Sequence, residues 1–297
     1  CGCNSGSRYW SLAGYSTLEQ MKIKSIEILL LISVLIVGWN SNNKYEYVSE
    51  QETIELIKNN QINFFKLSYT DESGKPISDS LRQLLKQGKV IRHFYRDENG
   101  DINQVRLIEA NDENIFYEIR IRDLQQNPFS DITYAQINCD SSKQILKRAL
   151  DRDQGVRKGL IDNIQEIDKM NRDTIVSILD HCNWPESKEE IESIWYVIQH
   201  SGTGKMSYYY PKFKEMVKLD LLEDSLMAKM EDRMLMFNGY PQIYGTQFTG
   251  EPRTFHEIKD ILRVNERRKS VGLCPIEQKA KSARIYFNWS DHKTTEK

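Results

Sequence analysis

Side chains that handle protons and anions gather in the C-terminal half of this sequence. Gln199 and His200 stand just before the breakers of SGTGK, Arg233 follows, and then comes GYPQIYGTQF, Gly239 to Phe248. Within that stretch Gln242, Tyr244, Thr246 and Gln247 offer donors and acceptors without charge, which suits orienting a polar ligand. Proton chemistry would fall to His200 as a general base, while Arg233 with Arg267 or Arg268 would hold an anionic group. Arg267 and Arg268 lie about 100° apart around a helix, so at most one faces a shared site, and Arg268 is assigned to it. No nucleophile accompanies them: there is no G-x-S-x-G elbow, and SGTGK lacks the spacing of a phosphate-binding loop. His181 and His256 are far from His200 in sequence, and Cys139, Cys182 and Cys274 form no C-x-x-C pair. No metal and no cofactor is therefore expected. The same polar residues would serve equally as ties between helix ends.

Positioning these groups requires helices. A capping box of Ser187 and Glu190 opens one that ends in IWYVIQH, where Trp195 to Ile198 point all round and demand a buried last turn. A second, about Leu222 to Phe237, carries Leu222, Leu226, Met230 and Phe237 on one stripe with Arg233 in its middle. A guanidinium on an apolar face costs several kcal/mol unless it is met, and it cannot escape by losing its proton. A carboxylate (Asp153 or Asp168 by type), a route along the stripe to solvent, or a ligand anion would each answer it. Gly239 stands where a C-terminal capping glycine belongs. TFHE reads as the opening of a further helix that carries Arg267 and Arg268, or that breaks near Asp260, and Gly272 ends it.

The region before about residue 135 has another grammar. KVIRHFY and INQVRLI flank RDENGD, a hairpin signal at Asn99-Gly100. IFYEIRIR alternates an apolar with a charged face and reads as a third strand. With short helices in SEQETIELIKNN and SDSLRQLLKQGK, stopped by Gly88, residues 41–135 form a small α+β region around an antiparallel meander. Residues 136–287 form a mainly helical domain and 288–297 a tail, so the class is α+β overall.

With 41 Lys and Arg against 43 Asp and Glu, the net charge is −2, and no global field favours nucleic acid. Lys22 and Lys24 precede the apolar run Ile28 to Val37, too short for the roughly 20 residues of a spanning helix and right for an export signal. Residues 21–40 are expected to be a signal peptide or an uncleaved anchor, and 1–20 an upstream or non-native segment. The protein would then be periplasmic, extracellular or membrane-anchored, with that segment its sole membrane contact. Export leaves open one disulfide plus a free thiol, or three buried thiols, among Cys139, Cys182 and Cys274.

LDRDQGVR (Leu150 to Arg157), IDKMN, NWP, QH, EDR, PQIYGTQ and RRKSVGL occur in this order between about Ser142 and Ile276. Together they resemble a bacterial family, domain of unknown function 6624. The resemblance implies a mostly helical domain in which these polar residues converge, and it implies no reaction. The expected function is binding of a small anionic or peptide-like ligand by His200, Gln199, Arg233, Gln242, Tyr244, Gln247 and Arg268. Hydrolysis with His200 as base, or a scaffold with no ligand, are the alternatives. The oligomeric state is not legible.

Overall fold

The computed structural model describes residues 44–250 and 253–289. The export segment read from the sequence lies outside them, as do residues 1–20. Among the described residues no helix is long and apolar enough to cross a membrane.

The fold is α+β, with a small sheet in the N-terminal part and helices thereafter. Strands β1 (Tyr45–Val48), β2 (Ser68–Thr70), β3 (Val90–Asp97) and β4 (Ile102–Glu109) lie in the order β1-β3-β4-β2. The hairpin β3–β4 is antiparallel as expected; Asp97 Oδ1 accepts the N–H groups of Asn99 and Asp101, and Gly100 alone takes a positive φ, of 85°. β1 pairs antiparallel with β3, but β2 runs parallel to β4. The sheet is therefore mixed, which corrects the antiparallel meander. Helix α1 (Glu50–Lys58) is capped by Ser49, and α2 (Asp79–Lys86) by Ser78.

The third strand of that meander is a helix, α3 (Ile115–Leu124). Asn111 starts the turn before it, its Oδ1 accepting the N–H groups of Glu113 and Asn114 at 2.9 Å each. A strand would have turned Phe116 outward with the charged residues. In the helix Ile115, Phe116 and Ile119 enter the core of the helical part, while Tyr117, Ile121 and Leu124 enter that of the sheet. A short element buried nearly all round carries no diagnostic period, so alternation misleads here. α3 thus belongs to both halves.

The helical part is built from α4 (Ser142–Arg157), α5 (Ile164–His181), α6 (Lys188–Gln199), α7 (Thr203–Lys218) and α8 (Asp224–Phe237). Sequence neighbours among them pack together, and α4 also packs on α6. Ser187 Oγ accepts from Glu190 N and opens α6 as its capping pattern predicts. Trp195 and Ile198 are fully buried. Of the row expected there, Leu222, just before α8, and Leu226 and Met230 on it line the core; Phe237, the last residue of the helix, does not and is 59% exposed. TFHE opens no helix: Phe255 pairs antiparallel with Phe248, and helical backbone begins only at the short turn Ile261–Arg263. Helices α9 (Val264–Ser270) and α10 (Ile276–Ala283) then pack beside the loop.

Cys139, in a single helical turn before α4, is bonded to Cys182 just past α5, and Cys274 is free. The bridge ties the two ends of the α4–α5 pair. A digest of unreduced protein should therefore yield the Cys139 and Cys182 peptides as one linked species that separates on reduction. Recovery of both as free thiols would refute the pairing.

Candidate functional site

The apolar face of α4 carries Leu146, Ala149 and Val156, and Asp153 stands in that row, 1% exposed. A carboxylate in such a place needs several donors. It has them: Asp153 Oδ1 lies 2.8 Å from His200 Nδ1 and 3.5 Å from Arg157 Nη2, and Oδ2 accepts from Gln154 Nε2 at 2.9 Å. An ionised carboxylate only accepts, so Nδ1 of His200 carries the proton and Nε2 is the ring's other face to the site. Among the described residues Nε2 has no hydrogen-bond partner. His200 is the C-terminal cap of α6, and its side chain keeps 16% of its surface exposed.

Two guanidiniums flank this pair. Arg157 Nη2 bonds Asp168 Oδ1 at 2.7 Å, and its buried Nε has no acceptor. Arg233, on α8, donates from Nη1 to the carbonyl of Gln199 at 3.1 Å and from Nε to Gln247 Oε1 at 3.2 Å. Both acceptors are neutral. No carboxylate lies within ion-pairing distance of Arg233 among the described residues, and its Nη2 has no partner there. Burial pulls its pKa down, the like charge of Arg157 pulls the same way, and Asp153 opposes them. Arginine stays charged regardless. The ion pair with Asp153 or Asp168 weighed from the sequence is absent, since those carboxylates serve His200 and Arg157.

The loop that follows is held from below. Asp232, fully buried on α8, accepts the N–H groups of Ile243, Tyr244 and Thr246 at 2.7, 2.9 and 2.9 Å. Gly239 takes φ 77° just past α8, as a capping glycine should. Gly88 of the sheet half receives the ring of Tyr240 so closely that a Cβ there would fall 1.9 Å from Cε1. The loop is thus pinned at both halves of the fold.

Of the residues expected to converge, Gln199, His200, Arg233 and Gln247 do. Gln242, Arg268 and Tyr244 do not. Gln242 is fully buried inside the loop, donating to the carbonyls of Gln247 and His256 and accepting from Gln247 N, all at 2.9 Å. Both of its amide N–H donors are spent within the loop, and its burial keeps the side chain from a ligand. Arg268, 1% exposed, spends its guanidinium on the carbonyls of Cys274, Tyr244 and Gly245. Arg267 instead reaches the carbonyl of Ile243 at 2.8 Å. Tyr244 turns to another cleft, of about 570 Å³, whose wall includes Glu231 and Tyr210. Burial, with Glu231 and then Asp232 nearby, pushes its phenol up to about 12. Glu231 and Arg233 sit about 200° apart on α8, so the two faces are separate.

Arg157 and Asp232 are not singled out by the sequence reading, and Asp153 enters it only as a carboxylate for Arg233, although the signal is present. Asp153 interrupts an apolar row at helical spacing just as Arg233 does, and Ala228, Asp232 and Leu235 repeat the pattern on α8.

The fold and site define an α+β protein whose helical part holds a histidine–aspartate pair beside two arginines. The family model described as "Family of unknown function (DUF6624)" matches residues 123–285, more than half the chain, and the chain belongs to that family. The match begins within α3 and takes in every residue of the cluster. No curated protein and no solved structure matches.

Proposed function

We propose that the helical domain binds a small anionic ligand at Arg233, with His200 placed to exchange a proton with it. One observation carries this reading. A largely buried guanidinium meets only neutral acceptors on two edges and keeps Nη2 unpartnered beside an oriented histidine. Such a group lowers its own cost by receiving an anion. The buried brace on Asp232 favours a fixed loop that presents Gln247, and so a preformed site.

Calorimetry with inorganic phosphate, acetate and short peptides, on wild type and Arg233→Met, tests it. Wild type should gain stability with at least one of these, by about 2.7 kcal/mol at a hundredfold excess over Kd. Arg233→Met should lose that gain while remaining folded. An undiminished gain in the variant would sink the proposal.

Hydrolysis is the second reading, favoured by the Asp153–His200 contact. It fixes the ring so that Nε2 could take a proton from water attacking a bound ester or phosphoester. Export belongs to the same proposal. The Cys139–Cys182 bridge suits an oxidising compartment, and the apolar run after Met21 suits delivery there.

A further inference from the structure

We propose that the Arg233 site is one half of a longer cationic strip, and that its ligand carries two anionic groups, the second received by Lys229 and Lys279. This rests on the anion-binding reading of Arg233 and names the ligand class that reading leaves open.

Lys229 lies four residues before Arg233 on α8, so the two side chains leave the same face about 6 Å apart at their bases. Gln247 packs along this part of α8, its Oε1 accepting from the Arg233 side chain at 3.2 Å and its Nε2 donating to the backbone carbonyl of Lys229 at 3.4 Å. The next residue, Phe248, carries Lys279 of α10 above its ring, Nζ standing 5.4 Å from the centroid. Arg233, Lys229 and Lys279 therefore follow one another along the edge of the loop.

Neither lysine behaves like an ordinary surface lysine. Both are only partly exposed, and neither forms an ion pair among the described residues. Burial pulls the amine of Lys229 down first and Lys279 second; Glu223 and Glu192 oppose this from beyond pairing distance. Lys279 is lowered by burial and then by Arg268. A folded chain that crowds cations with no carboxylate in direct contact gains by receiving a second anion there. Arg233 alone would need one anionic group; the strip fits a diphosphate, or a phosphate and carboxylate a few bonds apart.

The test compares inorganic phosphate with pyrophosphate by calorimetry at fixed ionic strength, on wild type, Arg233→Met, Lys229→Met and Lys279→Met. Each lysine change keeps the aliphatic stem and removes an unpaired charge, so folding should persist; thermal melts check this. Wild type should hold pyrophosphate at least about tenfold more tightly than phosphate, a difference of about 1.4 kcal/mol. Lys229→Met should erase most of that preference and Lys279→Met part of it, with phosphate affinity nearly unchanged in both. Arg233→Met should weaken both ligands. A preference for pyrophosphate that survives Lys229→Met overturns the strip while leaving the Arg233 site intact. Equal affinity of wild type for the two ligands also overturns it. Wild type that binds neither overturns both.

Discussion

Replacing Asp232 by alanine should lower the unfolding free energy by about 3–5 kcal/mol, because it leaves three backbone donors of one loop without their acceptor. The carboxylate is fully buried and accepts three backbone N–H groups from one loop. Alanine leaves all three donors facing a hole that the rigid loop cannot close, and each unsatisfied buried donor costs about 1–3 kcal/mol. Urea titration followed by tryptophan fluorescence reads the change. A loss below about 1 kcal/mol would mean that the loop rehydrates freely and Asp232 is no brace. Burial also pushes the Asp232 carboxyl above its ordinary range, against the pull of the Tyr244, Thr246 and Ile243 donors. With the folded pKa above the unfolded one, this group's stabilisation is complete below about 4 and declines as pH rises through the folded value. The cost of Asp232→Ala should therefore be larger below that window than above it.

That brace also explains what could be read from the sequence. Local signals read well: the cap at Ser187, the short helices in SEQETIELIKNN and SDSLRQLLKQGK, the stops at Gly88 and Gly239, and the β3–β4 turn are each set by a few adjacent residues. The rows of Leu222, Leu226 and Met230, and the anomaly at Arg233, were legible because helical spacing converts directly into one face. Partners were not. Nothing in the spacing tells that Asp153 serves His200 across 47 residues while Arg233 is left with the Gln199 carbonyl. Gln242 and Gln247 read alike, yet one ties the loop to itself and the other faces Arg233. The strand assigned to IFYEIRIR failed for a related reason: α3 is wrapped by two cores, so its residues carry no period of their own.

The site has a consistent logic once the two out-of-place charges are taken together. Asp153 and Arg233 each interrupt an apolar row, on α4 and α8 respectively, and the simplest solution would be to pair them. They are not paired. Asp153 is committed to His200 and Gln154, and Arg157 takes Asp168 as its closer carboxylate. On the anion-binding proposal, a buried carboxylate and a largely buried guanidinium left apart have separate uses: one orients a proton carrier, the other stays open to an anion.

Glu118→Ala should be the other severe substitution, again by about 3–5 kcal/mol. Glu118 is fully buried on α3 and accepts from Arg92 at Nε and Nη2, the latter at 2.8 Å, from the Arg92 backbone N–H at 3.1 Å and from Arg122 Nε at 3.1 Å. Arg122 also donates to the carbonyl of Leu85 at the end of α2. One carboxylate thus binds β3 to α3, the helix whose other side packs in the helical core. Its removal strands the Arg92 guanidinium in a place with little access to water, whereas Arg122 can swing outward. The double change Arg92→Met with Glu118→Leu should recover most of the loss, since neither charge is then left alone. A single-variant loss as small as that of an exposed pair, about 0–1 kcal/mol, would show that Arg92 reaches solvent and that this joint is dispensable. Because α3 meets neither α4 nor α6 through Glu118, the Arg233-dependent response to anions should persist in Glu118→Ala well below its melting temperature. Loss of that response in a still-folded variant would instead mean that the sheet half holds the site in shape.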